Sequence, residues 1–225
     1  MSQKPRQTPP KPRLRDAIIP TIAAVLIGGA GAYYFLGRSA PDELANLGER
    51  PAACIIDPPA EIGGPIALED VNGRDVTQAD FAGNPALVYF GFTHCPDICP
   101  NTMYVLADAL EALGPDARSL QPVLITLDPE RDTTDVMQDY IQTADFPPGL
   151  VGLTGTPDQV AAAAREFAVN SMRAGEGPSY TINHTSFLYV MDGAWRPKAM
   201  VSTIGQTPQQ IAACIRDGLG ADLSR

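Results

Sequence analysis

Apolar positions divide the chain into one long uncharged stretch near its start and a series of short segments after residue 60. Residues 17–37 read AIIPTIAAVLIGGAGAYYFLG and contain no charged side chain. A helix of about twenty residues rises about 30 Å, which is the thickness of the hydrocarbon core of a bilayer. The pattern therefore predicts one N-terminal transmembrane helix over residues 17–37.

The later segments alternate between strand and helix patterns. Residues 86–92 (ALVYFGF) and 122–127 (PVLITL) are apolar runs typical of buried parallel strands, and 150–153 predicts a further short strand. Apolar residues at helical spacing and two Thr-Pro-x-Gln capping boxes indicate helices between these strands. The predicted helices cover 101–113, 134–143, 157–167 and 208–218.

Two hairpins flank this alternating part. Residues 65–68 and 75–77 surround an Asn-Gly turn, and 187–191 and 197–202 surround an Asp-Gly turn. Strand–helix alternation predicts a central, mostly parallel sheet covered on both faces, and the closing hairpin adds antiparallel edge strands. The expected fold is an α/β, thioredoxin-like one.

Charge divides the chain of 225 residues unevenly. Residues 1–16 carry five basic groups and one acid, although the whole chain has a net charge of −10. Basic residues before a span predict a cytoplasmic N-terminus. We expect a cytoplasmic basic arm (1–16), the span (17–37), a proline-bearing linker (38–60) and a folded domain (61–225). An Ala-Gly-Ala sequence at 30–32 leaves open a cleaved signal peptide instead.

The acidic folded part argues against a nucleic-acid partner, because neutralising phosphates requires clustered Lys and Arg. The basic arm lacks the Ser-rich, Arg-repeated composition of a transit peptide. We therefore expect a single-pass protein of the bacterial inner membrane with its soluble domain in the periplasm. The mitochondrial intermembrane space fits the same topology.

Candidate chemistry lies in the turn after the first buried strand, where Cys95 and Cys99 stand four residues apart. If the helix begins near residue 96, both share one helical face, and its positive N-terminus favours thiolates. Two thiolates can form a disulfide or bind a soft metal such as Cu(I) or Zn. Two alternatives are a pair of inert buried cysteines and a structural zinc site, although the latter requires four ligands.

The chain has two histidines. His94 directly precedes Cys95, so its side chain is expected to point away from the cysteine face. His184 is predicted in a loop just before the strand at 187–191, beside the cysteine turn. With the dithiol it would complete a Cys₂His set suited to copper.

Four ordered motifs resemble the Sco/SenC family: residues 91–100 (GFTHCPDICP), 126–133 (TLDPERDT), 152–155 (GLTG) and the His184 loop leading into 187–191 (FLYVM). The similarity spans about 62–218. It implies a copper metallochaperone that delivers copper to the dinuclear copper site of cytochrome c oxidase subunit II. It also implies Cys95, Cys99 and His184 as ligands of Cu(I) or Cu(II), with thiol–disulfide activity of the same cysteine pair. The implied partners are subunit II, the inner membrane and other copper chaperones.

A thiol–disulfide oxidoreductase that carries no copper is the main alternative. Thioredoxin-type reductases have two residues between their cysteines and a proline before the facing strand. This chain has three residues between the cysteines and no proline from 181 to 195. A peroxiredoxin would have Thr where Phe92 stands, and a plain interaction module would leave the cysteine turn unexplained.

Two further features have open interpretations. Cys54 and Cys214 lie near opposite ends of the soluble part, and in an oxidising compartment we expect them to form a disulfide rather than remain unpaired. The acidic loop at 128–132 follows the second parallel strand. It predicts either a docking surface or a turn closed by its own hydrogen bonds.

Overall fold

The computed structural model describes residues 54–224. Its ten strands are β1 (Cys54–Ile56), β2 (Ala67–Asp70), β3 (Asp75–Thr77), β4 (Ala86–Gly91), β5 (Gln121–Thr126), β6 (Val151–Thr154), β7 (Ser171–Ala174), β8 (Thr181–His184), β9 (Phe187–Met191) and β10 (Pro197–Ser202). The α-helices of this part are α1 (Ile98–Leu113), α2 (Thr134–Ile141), α3 (Pro157–Glu166) and α4 (Pro208–Leu219). The transmembrane helix predicted at 17–37 lies outside the described residues. Within 54–224, no helix is both long and apolar enough to cross a bilayer.

Eight strands form the main sheet in the order β1-β10-β9-β4-β5-β6-β2-β3. Strands β4, β5 and β6 pair in parallel at its centre, and the outer strands on both sides pair antiparallel. The thioredoxin-like α/β prediction is confirmed. The antiparallel part is larger than one edge hairpin, because β9 joins β4 and β2 joins β6, so both predicted hairpins extend the central strands.

Strand β4 is buried along its whole length, because both faces of the sheet are covered. Leu87 and Tyr89 belong to a core cluster with the inner faces of α1, α2 and α4, whereas Val88 and Phe90 pack with α3 in a second cluster. The alternation follows from the two-residue period of a strand. It places the carboxyl end of β4 between two packed layers.

The capping boxes begin α3 and α4 at the predicted positions. The side chain of Thr156 accepts from the backbone N–H of Gln159, and the Gln159 side chain accepts from the backbone N–H of Thr156. The same reciprocal pair opens α4 at Thr207 and Gln210. Each box satisfies two N–H groups that a helix start leaves unpaired.

The structure differs from the sequence prediction in two places. Strand β1 lies in the segment predicted as a linker, and it pairs with the edge strand β10. Strands β7 and β8 form a separate two-stranded sheet where the sequence predicted a loop around His184.

The predicted disulfide between Cys54 and Cys214 is confirmed, with their Cα atoms 5.8 Å apart. It joins β1 to the middle of α4, at a point where Cys214 is fully buried. The first described strand is therefore held to the sheet edge by a covalent bond as well as by its three pairing positions.

Candidate metal centre

The cysteine turn follows β4 and leads into α1. Helix α1 begins at Ile98, two residues later than the start near residue 96 considered from the sequence. Cys95 therefore precedes the helix, and Cys99 lies in its first turn. The two still meet, because the backbone N–H of Cys99 donates to Cys95 Sγ at 3.3 Å. The Cys95 sulfur thus lies at the positive end of the helix.

The two thiols have opposite electrostatic settings. The pKa of Cys95 is lowered to about 5, because its sulfur accepts a hydrogen bond from the Cys99 thiol and further bonds from N–H groups at the helix start, which outweigh the effect of burial. The pKa of Cys99 is raised, because its thiol donates to Cys95 and is buried. At neutral pH the pair holds one proton, on the buried sulfur.

His184 ends β8 with its imidazole beside the buried thiol. Its Nε2 lies 3.7 Å from Cys99 Sγ, and its Nδ1 lies 2.8 Å from the carbonyl oxygen of Thr185. A carbonyl oxygen only accepts, so Nδ1 carries a proton, and Nε2 is the ring nitrogen that faces the sulfur. The rings of Tyr89 and Phe92 meet the imidazole edge-to-face and help to orient it.

This donor set fits a soft first-row metal. With bonds of about 2.3 Å to sulfur and 2.0 Å to nitrogen, the 3.7 Å between Cys99 Sγ and His184 Nε2 subtends about 120° at a bound ion. That is the angle of a three-coordinate site. Two sulfurs and one imidazole nitrogen are ligands that copper and zinc accept.

Cys95 lies beside the same space as His184. The two residues line one surface cavity of about 330 Å³, although within residues 54–224 no hydrogen bond joins their side chains. No three His, Cys, Asp or Glu side chains of this part of the chain form a complete metal site as they stand. The structure therefore brings Cys95 and His184 to one cavity, with Cys99 in contact with both.

His94 takes no part in this arrangement. Its Nδ1 lies 2.9 Å from Thr93 Oγ1 and 3.6 Å from Asp132 Oδ1, and its side chain is 48% exposed. The structure thus directs His94 away from the dithiol, as expected for the residue directly before Cys95.

With this geometry established, comparison with known proteins identifies the family. The family model described as SCO1/SenC matches residues 56–219. The chain belongs to the SCO1/SenC family.

Relatives in this family share about a third of their residues with the chain. The SCO2-like protein of Rickettsia felis is 34% identical over 184 residues, which cover 80% of this chain and 87% of that protein. The mitochondrial SCO1 homolog 1 of Arabidopsis thaliana is 35% identical over 168 residues, covering 72% of this chain but only 50% of the relative. The chain therefore spans about half the length of some relatives and most of others.

Solved Sco structures share the fold. Bradyrhizobium japonicum ScoI with copper bound is 36% identical, with a TM-score of 0.62 over 70% of this chain and 99% of that one. Yeast Sco1 with copper bound is 33% identical, with a TM-score of 0.64 over 70% of this chain and 88% of that one. BsSco, at 19% identity and a TM-score of 0.59, shows the same fold.

In this SCO1/SenC chain, two residues of β4 that the sequence analysis did not select lie against Cys99. A Cβ atom at Gly91 would lie 3.1 Å from Cys99 Sγ and 3.0 Å from Tyr89 Cε1, so only glycine leaves room for the thiol. The Tyr89 hydroxyl is buried close to Cys99 and makes no hydrogen bond of normal geometry. A glycine at the end of an otherwise bulky strand was the available signal for this crowding.

The two aspartates of the acidic loop at 128–132 are buried. The carboxylate of Asp132 accepts from the backbone N–H of Thr93 at 3.0 Å, from its hydroxyl at 2.6 Å and from Thr126 Oγ1. The carboxylate of Asp128, 3% exposed, pairs with Arg131. For the two aspartates the structure supports the hydrogen-bonded turn, because both are buried, whereas Glu130 of the same loop is exposed.

Proposed function

We propose that this chain is a membrane-anchored copper metallochaperone that delivers copper to the dinuclear copper site of cytochrome c oxidase subunit II. The observation that carries the proposal is the 3.7 Å contact between Cys99 Sγ and Nε2 of His184. Relatives support the choice of metal, since Bradyrhizobium ScoI and yeast Sco1 are described with copper bound. BsSco is described as a member of the Sco family of cytochrome c oxidase assembly proteins, which supports the choice of partner.

Copper is the cargo, and the three ligands contribute differently to holding it. Cys95 and Cys99 supply soft thiolates, which suit Cu(I), and His184 adds the nitrogen that a stable Cu(II) complex requires. The cavity opens to solvent beside Cys95, so an incoming ligand can approach copper from that side. Other copper chaperones are the expected source of the metal.

The location follows from the sequence outside the described residues. The uncharged stretch at 17–37, with basic residues before it, supports an inner-membrane anchor and a cytoplasmic N-terminus. The folded domain then faces the periplasm. The Cys54–Cys214 disulfide fits this location, because disulfides persist in oxidising compartments.

A second activity at the same pair, thiol–disulfide exchange, is favoured by the asymmetry of the two thiols. Cys95 is half-buried with a lowered pKa, and Cys99 is buried. The Cys95 thiolate would attack a partner disulfide and form a mixed disulfide. Cys99 would then displace the partner, so that the dithiol loses two electrons and the partner disulfide gains them. The alternative to the chaperone is this exchange without any copper.

Copper titration of the full-length chain, purified in detergent with Cys95 and Cys99 reduced, tests the proposal. We expect one copper per chain, and for Cu(II) a strong sulfur-to-copper charge-transfer band. A chain whose Cys95–Cys99 pair is oxidised should take up no copper until it is reduced again, because the disulfide removes both thiolates. Disulfide exchange with no copper uptake would instead identify a pure oxidoreductase.

A further inference from the structure

His184 lies on a two-stranded hairpin, β7–β8, that is separate from the main sheet. Strands β7 and β8 pair only with each other, through four positions from Ser171 with His184 to Ala174 with Thr181. A single two-stranded hairpin is marginally stable at best in water. Contacts with the rest of the molecule must therefore fix the hairpin, and with it the 3.7 Å approach of His184 to Cys99.

The hairpin has two ends, and they are held differently. At the His184 end, the Thr185 N–H donates to the Asn170 carbonyl oxygen at 3.1 Å, and the chain continues directly into β9. At the far end, the turn between the strands contains Tyr180, whose ring is buried. This second end has no covalent continuation into the main sheet nearby, so its position depends on the contacts of Tyr180.

Tyr180 lies between two guanidinium groups. Arg131 Cζ stands 3.6 Å from the centre of its ring, and Arg173 Cζ stands 3.5 Å from it. The Tyr180 hydroxyl donates to the carboxylate of Asp128. Cations over aromatic faces contribute most where water is excluded, and Tyr180 itself is only 7% exposed.

Arg131 also ties the same turn to the acidic loop through its Nη1 and Nε. Its Nη1 donates to the carbonyl oxygens of Pro178 at 3.3 Å and Tyr180 at 3.0 Å, and its Nε donates to Asp128. On the outer side, Arg173 forms an ion pair with Glu130 at 3.5 Å. Backbone, ring and hydroxyl of the hairpin turn are thus all bonded to one loop.

The other side of that loop reaches the cysteine turn. Asp132 binds both the backbone N–H and the hydroxyl of Thr93, two residues before Cys95. A continuous set of hydrogen bonds and cation–ring contacts therefore runs from the cysteine turn through the loop at 128–132 to the hairpin that carries His184.

We propose that Arg131, Tyr180, Arg173 and Asp128 form a clamp that positions the β7–β8 hairpin, and hence His184, against the dithiol. We call these four residues the Tyr180 clamp. They are positioning residues, since none of them touches the metal ligands. The metal-dependent part of this inference rests on the proposed copper function, whereas the effect on the hairpin does not.

The first test measures copper affinity in Arg131→Gln and Arg173→Gln variants of the reduced full-length chain in detergent. The matched control is Arg196→Gln, because Arg196 also forms an ion pair with a buried aspartate, Asp192, but in a different hairpin. Loss of residues that orient a metal ligand typically costs about 10–100-fold in affinity. We expect a Cu(II) loss of that size for Arg131→Gln, a smaller one for Arg173→Gln, whose side chain is half exposed, and none for the control.

A general loss of structure would lower the Cu(I) and Cu(II) affinities together. A loss confined to Cu(II) therefore distinguishes the clamp from misfolding. The clamp predicts Cu(I) affinity within about twofold of wild type in all three variants, because the two thiolates suffice for that ion. Arg173→Lys should recover part of the Cu(II) affinity. Equal losses of Cu(I) and Cu(II) affinity, or a Cu(II) loss as large in Arg196→Gln, overturn the inference.

The second test needs no metal. Amide hydrogen exchange of residues 171–185 in the reduced, copper-free chain should be at least about tenfold faster in the two clamp variants, whereas exchange of β9 should not change. Unchanged amide exchange of residues 171–185 in the variants would contradict the clamp even if copper binds. Failure of the wild-type chain to bind copper sinks the proposed function while leaving this measurement valid. If Arg131→Gln does not fold, the same two measurements on Arg173→Gln decide the inference, because the Arg173 side chain is half exposed.

Discussion

The cysteine turn and the histidine hairpin meet at one site but are built in different ways. The turn joins a fully buried central strand to α1, and apolar packing holds both. The hairpin has two strands with mostly exposed side chains, and hydrogen bonds, ion pairs and a buried tyrosine ring attach it. The sulfur ligands therefore have a rigid support, and the nitrogen ligand has a support that small changes can loosen.

This difference suits the proposed copper chaperone, which would have to release its cargo. Two rigidly supported thiolates would retain Cu(I), while an imidazole on a less stable element would add or withdraw a third bond. Segments of low local stability are where binding proteins usually place their movable parts.

Removing a ligand from each half should have unequal consequences. Cys99→Ser should lower copper affinity roughly a thousandfold or more for both oxidation states, because a hydroxyl is a poor ligand for a soft ion. His184→Ala should abolish the Cu(II) charge-transfer band and leave Cu(I) affinity within about tenfold. Paired titrations of the two variants with Cu(I) and Cu(II) check this. An unchanged Cu(II) spectrum in His184→Ala would remove that residue from the ligand set.

Removing the Cys54–Cys214 bridge should weaken the main sheet and spare the hairpin. We expect Cys54→Ser with Cys214→Ser to lower the free energy of unfolding by about 2–5 kcal/mol. Urea unfolding measures this loss, and amide exchange of residues 171–185 should stay at its wild-type rate. Copper stoichiometry should also stay the same, since neither sulfur belongs to the site. Faster hairpin exchange in this variant would show that the two regions are not independent.

A methyl group at Gly91 should disturb only the sulfur half of the site. In Gly91→Ala the new Cβ would lie 3.1 Å from Cys99 Sγ and 3.0 Å from the Tyr89 ring, inside a packed core. Overpacking of this kind costs about 1–3 kcal/mol. Urea unfolding should show that loss, together with a shifted charge-transfer band. A wild-type band in Gly91→Ala would contradict the crowding argument.

Low pH should destabilise the folded domain through Asp192, which closes the β9–β10 turn. Burial alone would raise its pKa, but hydrogen bonds from the N–H groups of Arg196 and Ala194 outweigh burial and lower it. A carboxyl with a lowered pKa stabilises the fold above its unfolded-state pKa, and this contribution disappears as the pH falls from about 4 towards the folded-state value.

Wild type should therefore lose about 1 kcal/mol more stability than Asp192→Asn between pH 6 and pH 3, the usual order for a hydrogen-bonded carboxylate. Urea unfolding of both proteins at the two pH values measures the difference. Equal losses of stability in the two proteins would mean that the pKa of Asp192 is the same in the folded and unfolded states.

The sequence predicts the main sheet well because apolar burial shapes it. The runs at 86–92 and 122–127 become β4 and β5, and the capping boxes at Thr156 and Thr207 begin α3 and α4. The cysteine turn could be found for the same reason, since it lies between a buried strand and an amphipathic helix. The residues alone suggested His184 as the third member of a Cys₂His set suited to copper, and the family resemblance implied the same ligands.

The hairpin at 171–184 could not be predicted, because no apolar period marks it. Met172 is 65% exposed, and the segment between its strands contains two glycines at positive φ, Gly175 and Gly177. Its stability comes from Tyr180 and from arginines 49 and 7 residues away in the chain, a pairing that a local pattern does not contain. Strand β1 was not predicted because its three residues are too few to show a two-residue period.

The Cys54–Cys214 bond also determines how the domain responds to mechanical force. It closes a loop whose ends are 160 residues apart in the chain. A pull applied between the two termini would pass through the sulfur atoms rather than through the sheet. About 550 Å of chain, at about 3.3–3.6 Å per residue, would then be shielded from extension. Single-molecule stretching should release that hidden length only after a reductant cuts the bond, so the redox state of one cystine decides whether tension can unravel the copper site.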